Sequence, residues 1–112
     1  MGMAEPFRIG IAGLGTVGAA TVKLLQQNGD LIAARAGRRI EIAAVSAKDK
    51  SKKREINLSG SHWIDQAASL AGHPGLDTVV ELIGGQNGAA AELVEKSLAS
   101  GRSVVTANKA LL

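Results

Sequence analysis

Apolar residues recur along the chain in two alternating rhythms. Four short runs have the length and β-branched content of buried strands: Phe7-Arg8-Ile9-Gly10-Ile11-Ala12, Ile40-Glu41-Ile42-Ala43-Ala44-Val45, Asp77-Thr78-Val79-Val80-Glu81-Leu82-Ile83 and Arg102-Ser103-Val104-Val105-Thr106. Helical spacing follows the first run, where Ala20 with Leu24 and Val17 with Leu25 form a stripe. It returns over Gly88 to Ser100, where Leu93, Val94 and Leu98 predict an apolar face, with Asn87 as the cap and Gly101 as the stop. Asn28-Gly29-Asp30 reads as a helix end, after which Leu31 to Gly37 either extends the helix or forms a second short one. The segment Ser46 to Gly60 is polar and basic and reads as a loop. His62-Trp63-Ile64 predicts a short edge strand, and Asp65 is the expected N-cap of a small helix through Leu70. Gly72-His73-Pro74-Gly75 breaks the chain, and Asn108 starts a further helix.

Strands alternating with helices imply an α/β fold with right-handed crossovers. The expected architecture is a Rossmann-type doubly wound parallel sheet in the order 3-2-1-4-5, with ligands held at the carboxyl ends of strands one and four. At that edge the sequence has its most distinctive stretch, Gly13-Leu14-Gly15-Thr16-Val17-Gly18, set between the first strand and the first helix. In this context each glycine has a task. Gly13 permits the tight turn, Gly15 lets a diphosphate approach the backbone, and Gly18 allows close packing of the helix. The amides at the helix start and the positive end of its dipole then hold the phosphates.

Composition narrows the choice. At 112 residues the chain makes one domain with a single core, and its apolar content is aliphatic, with Phe7 and Trp63 as the only aromatics. That suits a sheet covered on both faces. No apolar run is long enough to cross a membrane, and no signal-peptide core is present at the N-terminus. The chain has no cysteine, which rules out disulfides and thiolate metal sites and fits a cytoplasmic setting; no metal site is expected. Its net charge of +3 comes largely from a cluster between Lys48 and Arg54. With no aromatic platforms beside that cluster, nucleic acid is not the expected partner.

The cluster bears on the cofactor instead. An NAD site commonly has Asp or Glu at the end of strand two, against the adenosine ribose. Here that end reads Val45-Ser46-Ala47-Lys48, with Asp49 one step beyond. Lys48, helped by Lys50, Lys52 and Lys53, is placed to meet the 2′-phosphate of NADP(H). NADP(H) is therefore the preferred cofactor and NAD(H) the second choice.

Four segments together resemble homoserine dehydrogenase: Gly13 to Gly18, Val45-Ser46-Ala47-Lys48-Asp49, Val79-Val80-Glu81-Leu82-Ile83-Gly84-Gly85, and Val104-Val105-Thr106-Ala107-Asn108-Lys109-Ala110-Leu111-Leu112. The glycine motif is common; the last two segments are far more specific. The resemblance implies an oxidoreductase that interconverts L-homoserine and L-aspartate 4-semialdehyde with NAD(P)(H), on the way to threonine, methionine and isoleucine. It implies that Thr16 and Val17 lie over the diphosphate and that the loop from Ile83 and Gly84 borders the nicotinamide ribose. Thr106 and Lys109 would then reach the nicotinamide end, with Lys109 the one candidate for a catalytic group. Glu81 is assigned no catalytic role; near the end of a central strand it needs a partner or partial exposure.

The family continues into a substrate and dimerisation domain that supplies acidic substrate-binding residues and the lysine usually assigned as proton donor. Residues 1–112 are thus expected to be the NAD(P)-binding domain alone, truncated before the catalytic domain and inactive by itself, with a homodimer expected for the full-length protein. Two other readings share the fold: a nucleotide-sensing regulatory module, and another dehydrogenase such as aspartate-semialdehyde dehydrogenase. The sensor would need an acidic end to strand two and has no special need for Thr106 to Lys109. The other dehydrogenase would need a nucleophilic cysteine outside this chain.

Overall fold

The computed structural model describes residues 5–48, 56–83 and 88–107. Its five strands are β1 (Phe7–Ala12), β2 (Ile40–Ser46), β3 (His62–Trp63), β4 (Thr78–Glu81) and β5 (Ser103–Thr106). They form one sheet in the order β3-β2-β1-β4-β5, and every neighbouring pair is parallel. Helices α1 (Thr16–Gln27) and α2 (Gly29–Ala36) connect β1 to β2, a 3₁₀ helix (Ala67–Gly72) connects β3 to β4, and α3 (Gly88–Ala99) connects β4 to β5. The expected order holds, and of the two alternatives after Asn28 the second short helix is the one formed.

Because side chains alternate across a strand, the sheet has two packed faces. Ile9 and Ile11 of β1 and Val45 of β2 join Leu14 and Val22 in one buried cluster, with Leu25 packed against it. Ala12 and Ala44, from the same two strands, join Val79, Leu70, Ala71, Leu76 and Leu93 in the other. A bulge between β1 and β2 lets Ile9 pair with Ile42 but Gly10 with Ala44, so Ala43 is the extra residue and lies in the second cluster with Ala44.

Several expectations need correction. In α1 the buried residues are Gly18 and Val22, with Leu25 half-buried, whereas Val17 and Leu24 are 59% exposed and Ala20 is exposed. Gly18, Val22 and Leu25 also have helical spacing, and they face the sheet because the glycine turn fixes where the helix starts. Leu98 of α3 is exposed as well. Ala90, Leu93 and Ser97 are the residues turned inward, with Val94 half-buried. Asp65 caps nothing here: the following helix is a 3₁₀ helix entered through Gln66, with Ser69 N–H bonding to the Gln66 carbonyl. Strand β4 is shorter than the apolar run, although Asp77 and Leu82 still donate to the Arg8 and Ala12 carbonyls. Asn87, Asn108 and residues 49–55 of the expected loop lie outside the described residues.

Candidate cofactor site

The carboxyl ends of β2, β1, β4 and β5 stand side by side, and the glycine motif occupies the middle of that edge. The Gly13 N–H donates to the Ser46 carbonyl at 2.7 Å, joining the ends of β1 and β2. Gly13 has φ +98°, and a Cβ built on it would lie 2.6 Å from the Leu82 carbonyl oxygen. The turn thus needs glycine both for its conformation and for its contact with the chain leaving β4.

Gly15 is the N-cap of α1 in extended conformation, and a Cβ built on it would meet no atom of the described residues within 4 Å. Space over its backbone is therefore open. No side chain caps α1 and no acidic residue lies in its first turn. The first-turn amides have no partner within the helix, and the positive end of the dipole meets no charge of its own helix. Thr16 and Val17 are exposed at this end, while Leu14 turns its side chain into the core at 3% exposure. Any contact of Leu14 with a ligand comes from its backbone. These features fit the diphosphate of a dinucleotide, which needs donors and an uncluttered approach.

On one side of the turn, the end of β2 places Ser46 in the interior and Lys48 in solvent. Asp49, Lys50, Lys52 and Lys53 lie outside the described residues. On the other side, the sheet holds Glu81, the strand residue expected to need a partner or partial exposure. Glu81 is fully buried, at 0% exposure. Its Oε2 accepts the Ile83 N–H at 2.6 Å and its Oε1 accepts the Thr106 hydroxyl at 2.5 Å, while its backbone carbonyl accepts the Ala107 N–H at 3.3 Å. Glu81 and Thr106 are register partners of β4 and β5. The clue in the sequence was a lone carboxylate in an apolar strand; its partner, 25 residues later, could not be read there. Gly84 and Lys109 lie outside the described residues.

A dinucleotide laid across this edge would have its adenosine over β2, its diphosphate on the glycine turn and its nicotinamide over β4 and β5. Two open clefts of about 580 and 540 Å³ lie elsewhere, one between α1, β2 and Asn57 to Ser61 and one between the 3₁₀ helix and α3. Neither includes the glycine motif, so the candidate site is an edge and not one of these cavities. Among the described residues, no group of three or more side chains could hold a metal, and no helix is long and apolar enough to cross a membrane.

Comparison with known proteins gives a consistent result. Residues 13–112 match the family described as homoserine dehydrogenase, NAD-binding domain. The chain is 44% identical over 108 residues to a homoserine dehydrogenase of Pseudomonas aeruginosa, an alignment covering 96% of this chain and 24% of that protein. Among solved structures it is similar to S. aureus homoserine dehydrogenase, with a TM-score of 0.84 at 33% identity over 99% of this chain and 28% of the other. A homoserine dehydrogenase from Thiobacillus denitrificans gives 0.83 at 36% identity over 98% and 25%. The chain spans about a quarter of the length of these relatives.

Proposed function

Because this chain belongs to the homoserine dehydrogenase family, as its NAD-binding domain, we propose that it supplies the cofactor half of an enzyme interconverting L-homoserine and L-aspartate 4-semialdehyde. The single observation that carries the reading is the open, uncapped start of α1 above Gly15, set at the centre of the sheet's carboxyl edge. The nicotinamide would supply the two-electron redox chemistry. The backbone from Gly13 to Gly18 binds the diphosphate, with Thr16 and Val17 beside it. Ile83, Gly84, Thr106 and Lys109 border the nicotinamide end, and Lys48 favours NADP(H) over NAD(H) by meeting the 2′-phosphate.

Reduction of an aldehyde also needs the substrate held against the nicotinamide and a proton delivered to the developing alkoxide. In this reading, those groups belong to a substrate and dimerisation domain outside residues 1–112, and the whole enzyme is a cytoplasmic homodimer in the pathway to threonine, methionine and isoleucine. The chain alone binds nucleotide and has negligible turnover.

Calorimetric titration with NADPH, NADH and ADP-ribose tests the reading, together with Gly15→Val. At φ −72° and with open space around it, position 15 tolerates a side chain, so the variant should fold as the parent does while losing nucleotide. Unchanged binding in Gly15→Val, or no binding by the parent chain, would remove the proposal.

A further inference from the structure

We infer that the outward flank of α1 and α2 is a contact for a second copy of this chain, the two helical segments packing antiparallel about a twofold axis. The inference stands apart from the cofactor reading and uses none of the residues placed there.

The two helices form one rod. Asn28 separates them, yet its N–H donates to the Leu24 carbonyl and its own carbonyl accepts the Ile32 N–H, so helical bonding runs through the break. The inward row keeps its phase as well: Gly18 and Val22 are buried, and Leu25 and Ile32 are half-buried. Leu24 and Leu31 lie one position earlier in this repeat, on the flank, and both are more than half exposed. Ala20, Gln27 and Ala34, three or four residues from them, are exposed too. Together they make a mainly apolar stripe about 20 Å long, with the alternating spacing that paired helices bury. The sheet already holds the neighbouring face through Val22 and Leu25 and cannot reach this one.

Size and charge match the stripe to its own reverse. Laid antiparallel, Leu31 meets the partner's Ala20 and Leu24 meets the partner's Gln27, and symmetry makes each pair occur twice. Large side chains then fill the spaces beside small ones. In a parallel pair each residue would face its own copy, leucine on leucine and alanine on alanine, which leaves gaps. Lys23 and Asp30, both exposed, border one side of the stripe a single repeat apart. The antiparallel register sets Lys23 beside the partner's Asp30 and Asp30 beside the partner's Lys23; flanking pairs of this kind fix orientation between helices. Asp30 is open to such a partner: it holds Arg39 of its own chain loosely, at 3.5 Å, and its side chain is 99% exposed. A contact of about 20 Å along two helices is smaller than a standard interface, so the dimer is a weak one.

Sedimentation equilibrium of the chain from about 10 µM to 1 mM, where weak interfaces form, tests this. The average mass should rise from one chain toward two and no further, because a twofold contact closes on itself. Leu24→Glu should hold it at one chain. Leu98→Glu, on α3 and just as exposed, should leave the dimer unchanged. Lys23→Glu should weaken it about tenfold, since two facing pairs become like-charged, and adding Asp30→Lys should restore the parent's constant. A chain that stays single throughout overturns the inference, and is the result expected if the stripe seats another segment of a longer protein or a different partner. Growth beyond two chains, or an equal loss in Leu98→Glu, means unspecific apolar association and overturns it too. Should Leu24→Glu not fold, the charge pair decides: no recovery in the double variant overturns the antiparallel contact.

Discussion

A Cβ built on Gly18 would stand 1.9 Å from the carbonyl oxygen of Gly13, so the first turn of α1 is packed directly on the turn that precedes it. The close approach expected of the third motif glycine is thus made to the turn's own backbone. Backbone cannot swing aside as a side chain can, and Gly18→Ala should cost about 3 kcal/mol, the upper part of the overpacking range. Gly15→Ala, with no described atom within 4 Å, should cost only about 1 kcal/mol, alanine being the poorer N-cap. Urea unfolding of the two variants separates them.

Leu93 and Leu98 test which face of α3 is inward. Leu93 is completely buried and Leu98 is 62% exposed. Leu93→Ala should cost about 2–5 kcal/mol, and Leu98→Ala should stay within about 0.5 kcal/mol. Comparable losses in denaturant unfolding would contradict the observed rotation of the helix.

Ser97 gives a prediction of opposite sign. Its hydroxyl oxygen is buried and, among the described residues, has no hydrogen-bond partner. Ser97→Ala removes an unsatisfied polar atom and improves helix propensity. Thermal unfolding should show a gain of about 1 kcal/mol, and a clear loss would mean that the hydroxyl is bonded after all.

His73 supplies a pH dependence. Burial, and then the positive charges of His62, Arg102 and Arg8, hold its pKa below the ordinary 6.5; the His62 and His73 rings are 5.7 Å apart. Below pH 6.5 the unfolded chain therefore binds more protons at this position than the folded one. Stability should fall as pH drops through 6.5 toward the folded value, and recover above it. In His73→Gln the midpoint of thermal unfolding should depend less steeply on pH between about 7 and 5, which parallel melts of parent and variant would refute.

Lys48 is exposed at the end of β2, where an adenosine ribose would lie. Lys48→Ala should weaken NADPH about tenfold and leave NADH unchanged, narrowing the preference between them. Equal effects on both nucleotides, read by fluorescence titration, would detach Lys48 from the 2′-phosphate.

Much of this architecture was legible along the chain. The alternation of β-branched runs with helical spacing set the order of elements, and the handedness of crossovers turned that order into β3-β2-β1-β4-β5. The glycine motif was legible for the same reason: a tight turn, an open approach and a close contact are requirements on neighbouring residues, so their spacing records them. Helix faces were less so. In α1 two stripes satisfy the period, Ala20 with Leu24 and Val17 with Leu25 on one side and Gly18 with Val22 and Leu25 on the other, and only the packing of Gly18 on Gly13 selects the second.

By itself, then, the sequence determined the elements, their order and the glycine corner, because those depend on contacts within a few residues. Only the tertiary structure decided that Thr106 faces Glu81 and that Leu14 points into the core. Both outcomes come from strand register and sheet twist, which bring distant residues together through backbone pairing and leave no periodic trace in the chain.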